Sequence, residues 1–133
     1  VRRIKMSVAI RKGTSTIVVR KDEVWMADLG ESKGSRQGGE RPVLITTNNM
    51  GCRYSSVVQA AVITSSKIKK KIPTHVYIKA ANNGFKRDSI IMFEQMFPLV
   101  KEEDLLYKLF DLPSDYYEDV DKAYNLAASR DYI

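Results

Sequence analysis

Gly34-Ser35-Arg36-Gln37-Gly38-Gly39-Glu40-Arg41-Pro42-Val43-Leu44-Ile45 is a glycine-bearing basic loop that runs directly into an apolar strand. Glycines let a loop backbone approach a ligand closely, and the arginine at its base is placed to meet something anionic. Working outward, Glu23-Val24-Trp25-Met26-Ala27-Asp28 reads as a preceding strand bounded by charge and by Gly30. The apolar run continues to Thr47, and Asn48-Asn49-Met50-Gly51 has the composition of a turn. Val57 to Thr64 is a third strand of mostly small and β-branched residues, hence closely packed. An arginine before one strand and a threonine at the end of another are then expected to face each other across a small barrel.

Farther along, His75 to Lys79 alternates as a strand with one wet face, Asn82-Asn83-Gly84 turns it, and Ser89 to Gln95 is another buried strand. About five short strands at this spacing predict a mainly β, compact barrel. The C-terminal part reads as helical. Lys101 to Phe110 carries Leu105, Leu106 and Leu109 on one side, and Pro113-Ser114 opens a second helix with Ser114 as its N-cap. Tyr116, Val120, Ala123 and Ala127 follow helical spacing, so that face should pack on the barrel. Residues 1–20 read as an N-terminal extension and 21–133 as a single domain.

Composition narrows the function classes. The chain has 133 residues and a hydrophobic fraction of 44%, ordinary for a globular domain. No run approaches the roughly 20 apolar residues of a membrane span, and Arg11-Lys12 interrupts the only leader-like stretch, so a cytoplasmic location is expected. One cysteine, Cys52, and one histidine, His75, argue against a disulfide or a metal centre. No cofactor is expected. The net charge is +6, unevenly spread: residues 1–101 hold 19 Lys and Arg against 7 Asp and Glu, and residues 102–133 hold 3 against 9. A basic face of this kind attracts phosphates.

The chain has no Walker loop, no nucleophile elbow and no ligand cluster. RNA carries its own nucleophile, the 2′-hydroxyl beside each phosphate. A protein that exploits it must hold that hydroxyl in line, stabilise an anionic phosphorane and manage two protons. Arginine and threonine suit the stabilising task. The runs Val24 to Leu29, Gly34 to Leu44, Ala60 to Thr64, Pro73-Thr74-His75-Val76 and Arg87 to Gln95 resemble, in that order, the MazF/PemK family. The resemblance covers roughly residues 20 to 125. It implies a CcdB/MazF-like, SH3-like barrel of about five to seven strands with C-terminal helices packed on it. It further implies the toxin of a bacterial toxin–antitoxin pair: a homodimeric endoribonuclease that cuts single-stranded RNA at short sequences without metal. The ends left would be a 2′,3′-cyclic phosphate and a 5′-hydroxyl, and a cognate MazE-like antitoxin would inhibit it.

Carried over by position, the family's catalytic arginine falls on Arg41 and its catalytic threonine on Thr64. Glu94 is either the general base or a structural carboxylate; the Met92 beside it cannot donate to a phosphate. His75 reads as a structural strand residue. Ser35, Arg36, Gln37, Gly38 and Gly39 of the loop, Asn48 and Asn49, and the cluster Lys67, Lys69, Lys70 and Lys71 are expected to contact RNA, with Phe97 offering a face on which a base can stack. Relatives often carry an acid where Arg36 stands and a base where Phe97 stands. Two other readings are a CcdB-like gyrase poison, whose Trp-Gly-Ile ending is replaced here by Asp131-Tyr132-Ile133, and a non-catalytic RNA-binding module.

Overall fold

The computed structural model describes residues 17–65 and 72–130. Six strands form one antiparallel sheet: β1 (Glu23–Asp28), β2 (Glu40–Ile45), β3 (Val57–Ser65), β4 (His75–Ile78), β5 (Ser89–Val100) and β6 (Leu105–Asp111), in the order β4-β5-β3-β2-β1-β6. Among the described residues three helices are interspersed: α1 (Asn49–Tyr54), the single turn α2 (Lys101–Asp104), and α3 (Tyr117–Ala128) after a 3-10 turn at Ser114–Tyr116.

The sheet is rolled. One core cluster gathers Val76 and Ile78 from edge strand β4, Phe110 from the opposite edge β6, and Val24, Leu44, Ala61, Ile63, Ile91 and Phe93 from between them. Residues from both edges can share one core only if the sheet curls around it. Val120 and Ala123 of α3 cover this core. The other face buries Val19, Trp25, Ala27, Val43, Ile45, Val58, Ala60 and Leu99, with Ile17 packed alongside, so the packed domain already includes residues 17–19.

Three local readings are corrected. The stretch Lys101–Phe110 is helical only through Asp104; Leu105–Asp111 is a strand paired along β1 from Glu23↔Asp111 to Ala27↔Leu105. Its leucines suit a helix, but the open edge of β1 offers a ladder that local propensity does not outweigh. Asn48 does not sit in a simple turn: its Oδ1 accepts the Gly51 N–H and caps α1. Ser114 makes no side-chain cap, and α3 starts at Tyr117 with Glu118 and Asp119 in its first turn. Of the expected packing face, Val120 and Ala123 are buried, Tyr116 is partly buried, and Ala127 is exposed.

Candidate active site

The β2–β3 ladder sets the geometry. Its recorded pairs are Val43↔Val62, Leu44↔Ala61 and Ile45↔Ala60. The same antiparallel register carried two residues further brings Arg41 opposite Thr64, and side chains two residues apart on a strand share a face. Arg41 and Thr64 line one open cavity of about 640 Å³. Its floor is Val24, Ile63, Phe85 and Phe110, and its rim adds Glu40, Lys86 and Arg87. Phe85 and Phe110 meet edge to face at 4.8 Å, which fixes the floor. The turn before Phe85 depends on Gly84 at φ 98, where an added Cβ would lie 2.6 Å from the Phe110 ring.

The glycine loop is closed at its base. Leu29 N–H donates to the Gly39 carbonyl and Gly39 N–H to the Gly30 carbonyl, at 2.9 and 2.7 Å. Gly38 is buried so tightly that a Cβ would fall 2.2 Å from the Ser32 nitrogen. Gln95 of β5 ties the loop down: its Oε1 accepts from the Gln37 N–H at 3.2 Å and its Nε2 donates to the Ser35 carbonyl at 3.0 Å. Arg41 Nε donates to the Gly38 carbonyl at 3.2 Å. That bond orients the guanidinium, and no salt bridge occupies it among the described residues.

The expected site residues separate into three places. Arg41 and Thr64 share the cavity. Ser35, Arg36, Glu94 and Phe97 line a second recess of about 380 Å³ beneath the loop. Glu94 does not line the Arg41 cavity; its Oε2 is 2.7 Å from His75 Nε2 and its Oε1 accepts from the Thr74 hydroxyl at 3.1 Å. Asn48 caps α1 and Asn49 accepts from the Lys21 N–H at 2.8 Å, so both amides serve the fold. The cluster Lys67, Lys69, Lys70 and Lys71 lies outside the described residues. Sequence reasoning missed Glu40, Lys86 and Arg87; only the Asn82-Asn83-Gly84 turn just before Lys86-Arg87 signalled that charges there could be projected.

A rolled antiparallel sheet with a C-terminal helix, presenting an arginine and a threonine beside further cations, defines a small β protein with a cationic mouth. The chain belongs to the PemK-like, MazF-like toxins of type II toxin–antitoxin systems, whose family model matches residues 20–127. It is 40% identical over 111 residues to endoribonuclease EndoA of Bacillus subtilis (strain 168), covering 84% of this chain and 95% of that protein. Solved structures share the fold. An endoribonuclease in complex with its cognate antitoxin from a mycobacterial species matches with a TM-score of 0.70 at 22% identity, over 86% of this chain and 99% of that one. MazF from Deinococcus radiodurans matches with a TM-score of 0.66 at 20% identity, over 82% and 94%. Among the described residues no helix is long and apolar enough to cross a membrane.

Proposed function

We propose that the chain is an endoribonuclease toxin held inactive by a cognate antitoxin, and that it cuts single-stranded RNA in the cavity between Arg41 and Thr64. The observation that carries the assignment is that pair, opposed across β2 and β3 with Lys86 and Arg87 at the rim. The RNA 2′-oxygen bonds to phosphorus, the bond to the 5′-oxygen breaks, and the ends are a 2′,3′-cyclic phosphate and a 5′-hydroxyl. Arg41 stabilises the phosphorane, since a permanently charged guanidinium presents forked donors to phosphate oxygens. Thr64 adds a neutral donor to the same oxygens. Glu40, the one carboxylate lining the cavity among the described residues, receives the 2′-hydroxyl proton, and the departing 5′-oxygen takes a proton from solvent water to become the 5′-hydroxyl. Lys86 and Arg87 hold flanking phosphates.

No step in this scheme uses a metal, and no three His, Cys, Asp or Glu side chains converge among the described residues. The protein acts as a homodimer through apolar surface left on the far side: Val57 and Val100 are paired and exposed, and Val18, Met50 and Tyr54 are more than two-thirds exposed. The antitoxin segment is acidic and folds into the basic face, excluding RNA. Sequencing the ends left on a long transcript in EDTA, by wild type and by Arg41→Ala, tests the assignment. Cutting at short defined sites by wild type alone is expected; cutting that survives both Arg41→Ala and Thr64→Ala overturns it.

A further inference from the structure

The recess beneath the loop is separate from the cavity that holds Arg41 and Thr64, yet lies on the same sheet. Ile90 stands opposite Thr64 in the β3–β5 ladder, and Glu94 lies in a bulge of β5 between Met92, opposite Val62, and Met96, opposite Ala61, so it is between two and three residues from Thr64 along the ladder, roughly 8 Å at about 3.3 Å per residue. A base seated here would flank the cut.

The side chains of the recess divide into holders and readers. Gln95 is fully engaged: its amide carbonyl and amino group both bond the loop backbone. It keeps the loop over the recess. Glu94 is different. Its side chain is 43% exposed, and His75 and Thr74 each take one position on its carboxylate. A carboxylate has about four acceptor positions, so two remain. Those two existing bonds also fix its rotamer before any ligand arrives. Arg36 sits across the recess, its backbone paired with Lys33 in both directions and its Nη2 donating only a long 3.3 Å bond to the Glu31 carbonyl. Most of its five donors are left for a ligand. Phe97, half-buried, supplies an aromatic wall.

Resting on the endoribonuclease reading above, we propose that this recess selects guanine at a position flanking the cleaved bond. Guanine alone presents two adjacent N–H donors, N1 and N2, to match the two acceptor positions left on the Glu94 carboxylate, and carries O6 and N7 acceptors that suit an arginine. Adenine and cytosine offer one exocyclic amine each. Uracil sets its single N–H between two carbonyls, which a carboxylate repels. The ring then stacks on Phe97. An acid at position 36 would face guanine's O6 and N7 with the wrong sign.

Mapping cut sites on a randomised single-stranded RNA library tests this without a variant. Guanine should be enriched at one fixed offset from the cut. In a short substrate cut at that site, inosine at the offset, which lacks only the N2 amine, should lower the cutting rate roughly tenfold. Glu94→Gln should erase the guanine enrichment while cutting continues at other sequences, and Arg36→Glu should weaken it. Cutting with no enriched guanine, or an enriched guanine indifferent to both inosine and Glu94→Gln, overturns the proposal and leaves the nuclease reading standing. A library left uncut overturns both.

Discussion

Two cavities of similar size flank the sheet, each lined with cations, and they put those cations to opposite uses. The one under α1, about 750 Å³, is lined by Arg20, Arg53 and Lys101 beside Cys52 and Tyr54. There Lys101 and Arg53 are engaged by the protein itself. Lys101 is 3% exposed, and its Nζ donates to the Cys52 carbonyl at 2.6 Å, closing the end of α1. The Arg53 guanidinium lies 5.4 Å from the centroid of the Tyr54 ring, and burial pushes the Cys52 thiol up from its ordinary value, which makes it a poor nucleophile. In the cavity of about 640 Å³ with Arg41, the guanidinium is oriented by one backbone carbonyl, and Lys86 and Arg87 are exposed with no side-chain partner among the described residues. A cation already bonded to the protein stabilises the fold, whereas one held in position without a counter-charge is available to a phosphate.

The largest effect should come from breaking the available side. Arg41→Ala or Thr64→Ala is expected to lower RNA cutting by about a thousandfold, since removing one donor to a developing anion costs roughly 10²–10³ in rate. Thermal midpoints should move little, because neither side chain is buried. Wild-type-like cutting by both variants would place the chemistry elsewhere. Next is the floor that holds the cavity open. Gly84→Ala imposes a positive φ and pushes a Cβ into the Phe110 ring, together about 3 kcal/mol and a fall in midpoint of roughly 10 °C. An unchanged midpoint would show that the Phe85–Phe110 contact does not depend on this turn.

Which parts of this contrast could be read from sequence follows from how local each feature is. Strands β1 to β5 carry runs of apolar and β-branched residues that state their own conformation, and Gly30, Gly38 and Gly39 announce a loop. That Arg41 and Thr64 would meet in one cavity was legible because each lies near the end of its strand and because their neighbours resemble a family. Strand β6 was not, since Leu105 to Phe110 suits a helix until the free edge of β1 is available. Glu40, Lys86 and Arg87 gain meaning only when the sheet rolls and brings residues more than forty apart into one mouth. Lys101 is one of 22 Lys and Arg; nothing beside it signals burial, which depends on α1 docking over the end of β5. Asn48 was ambiguous in principle, because the side-chain bond that makes a turn also caps a helix.

The bonded side should respond in stability alone. Lys101→Met keeps the length of the buried stem but leaves the Cys52 carbonyl without its charged donor, at a cost of about 2 kcal/mol. A lower denaturation midpoint with an unchanged cutting rate per folded molecule is expected. A lost rate at an unchanged midpoint would mean that this cavity, too, meets RNA.

The smallest effect tests whether the contrast extends to carboxylates. Asp22 holds a left-handed backbone, φ 70, between strands: its N–H donates to the Ile45 carbonyl and its own carbonyl accepts from Leu112, each at 2.9 Å. The backbone there serves the fold, while burial raises the side-chain pKa, opposed by Lys21 and reinforced by Asp121. A folded-state value above the unfolded one means that the folded chain binds the proton more tightly. Below the unfolded pKa both states are protonated and nothing is lost; as pH rises through the unfolded and then the folded value, stability falls and stays lower at neutrality. Asparagine tolerates the same φ and carries no charge. Asp22→Asn should therefore gain no more than about 0.5 kcal/mol at pH 7, and the gain should vanish below about pH 4. Urea denaturation at both pH values distinguishes this from a backbone effect, which would give the same difference at each.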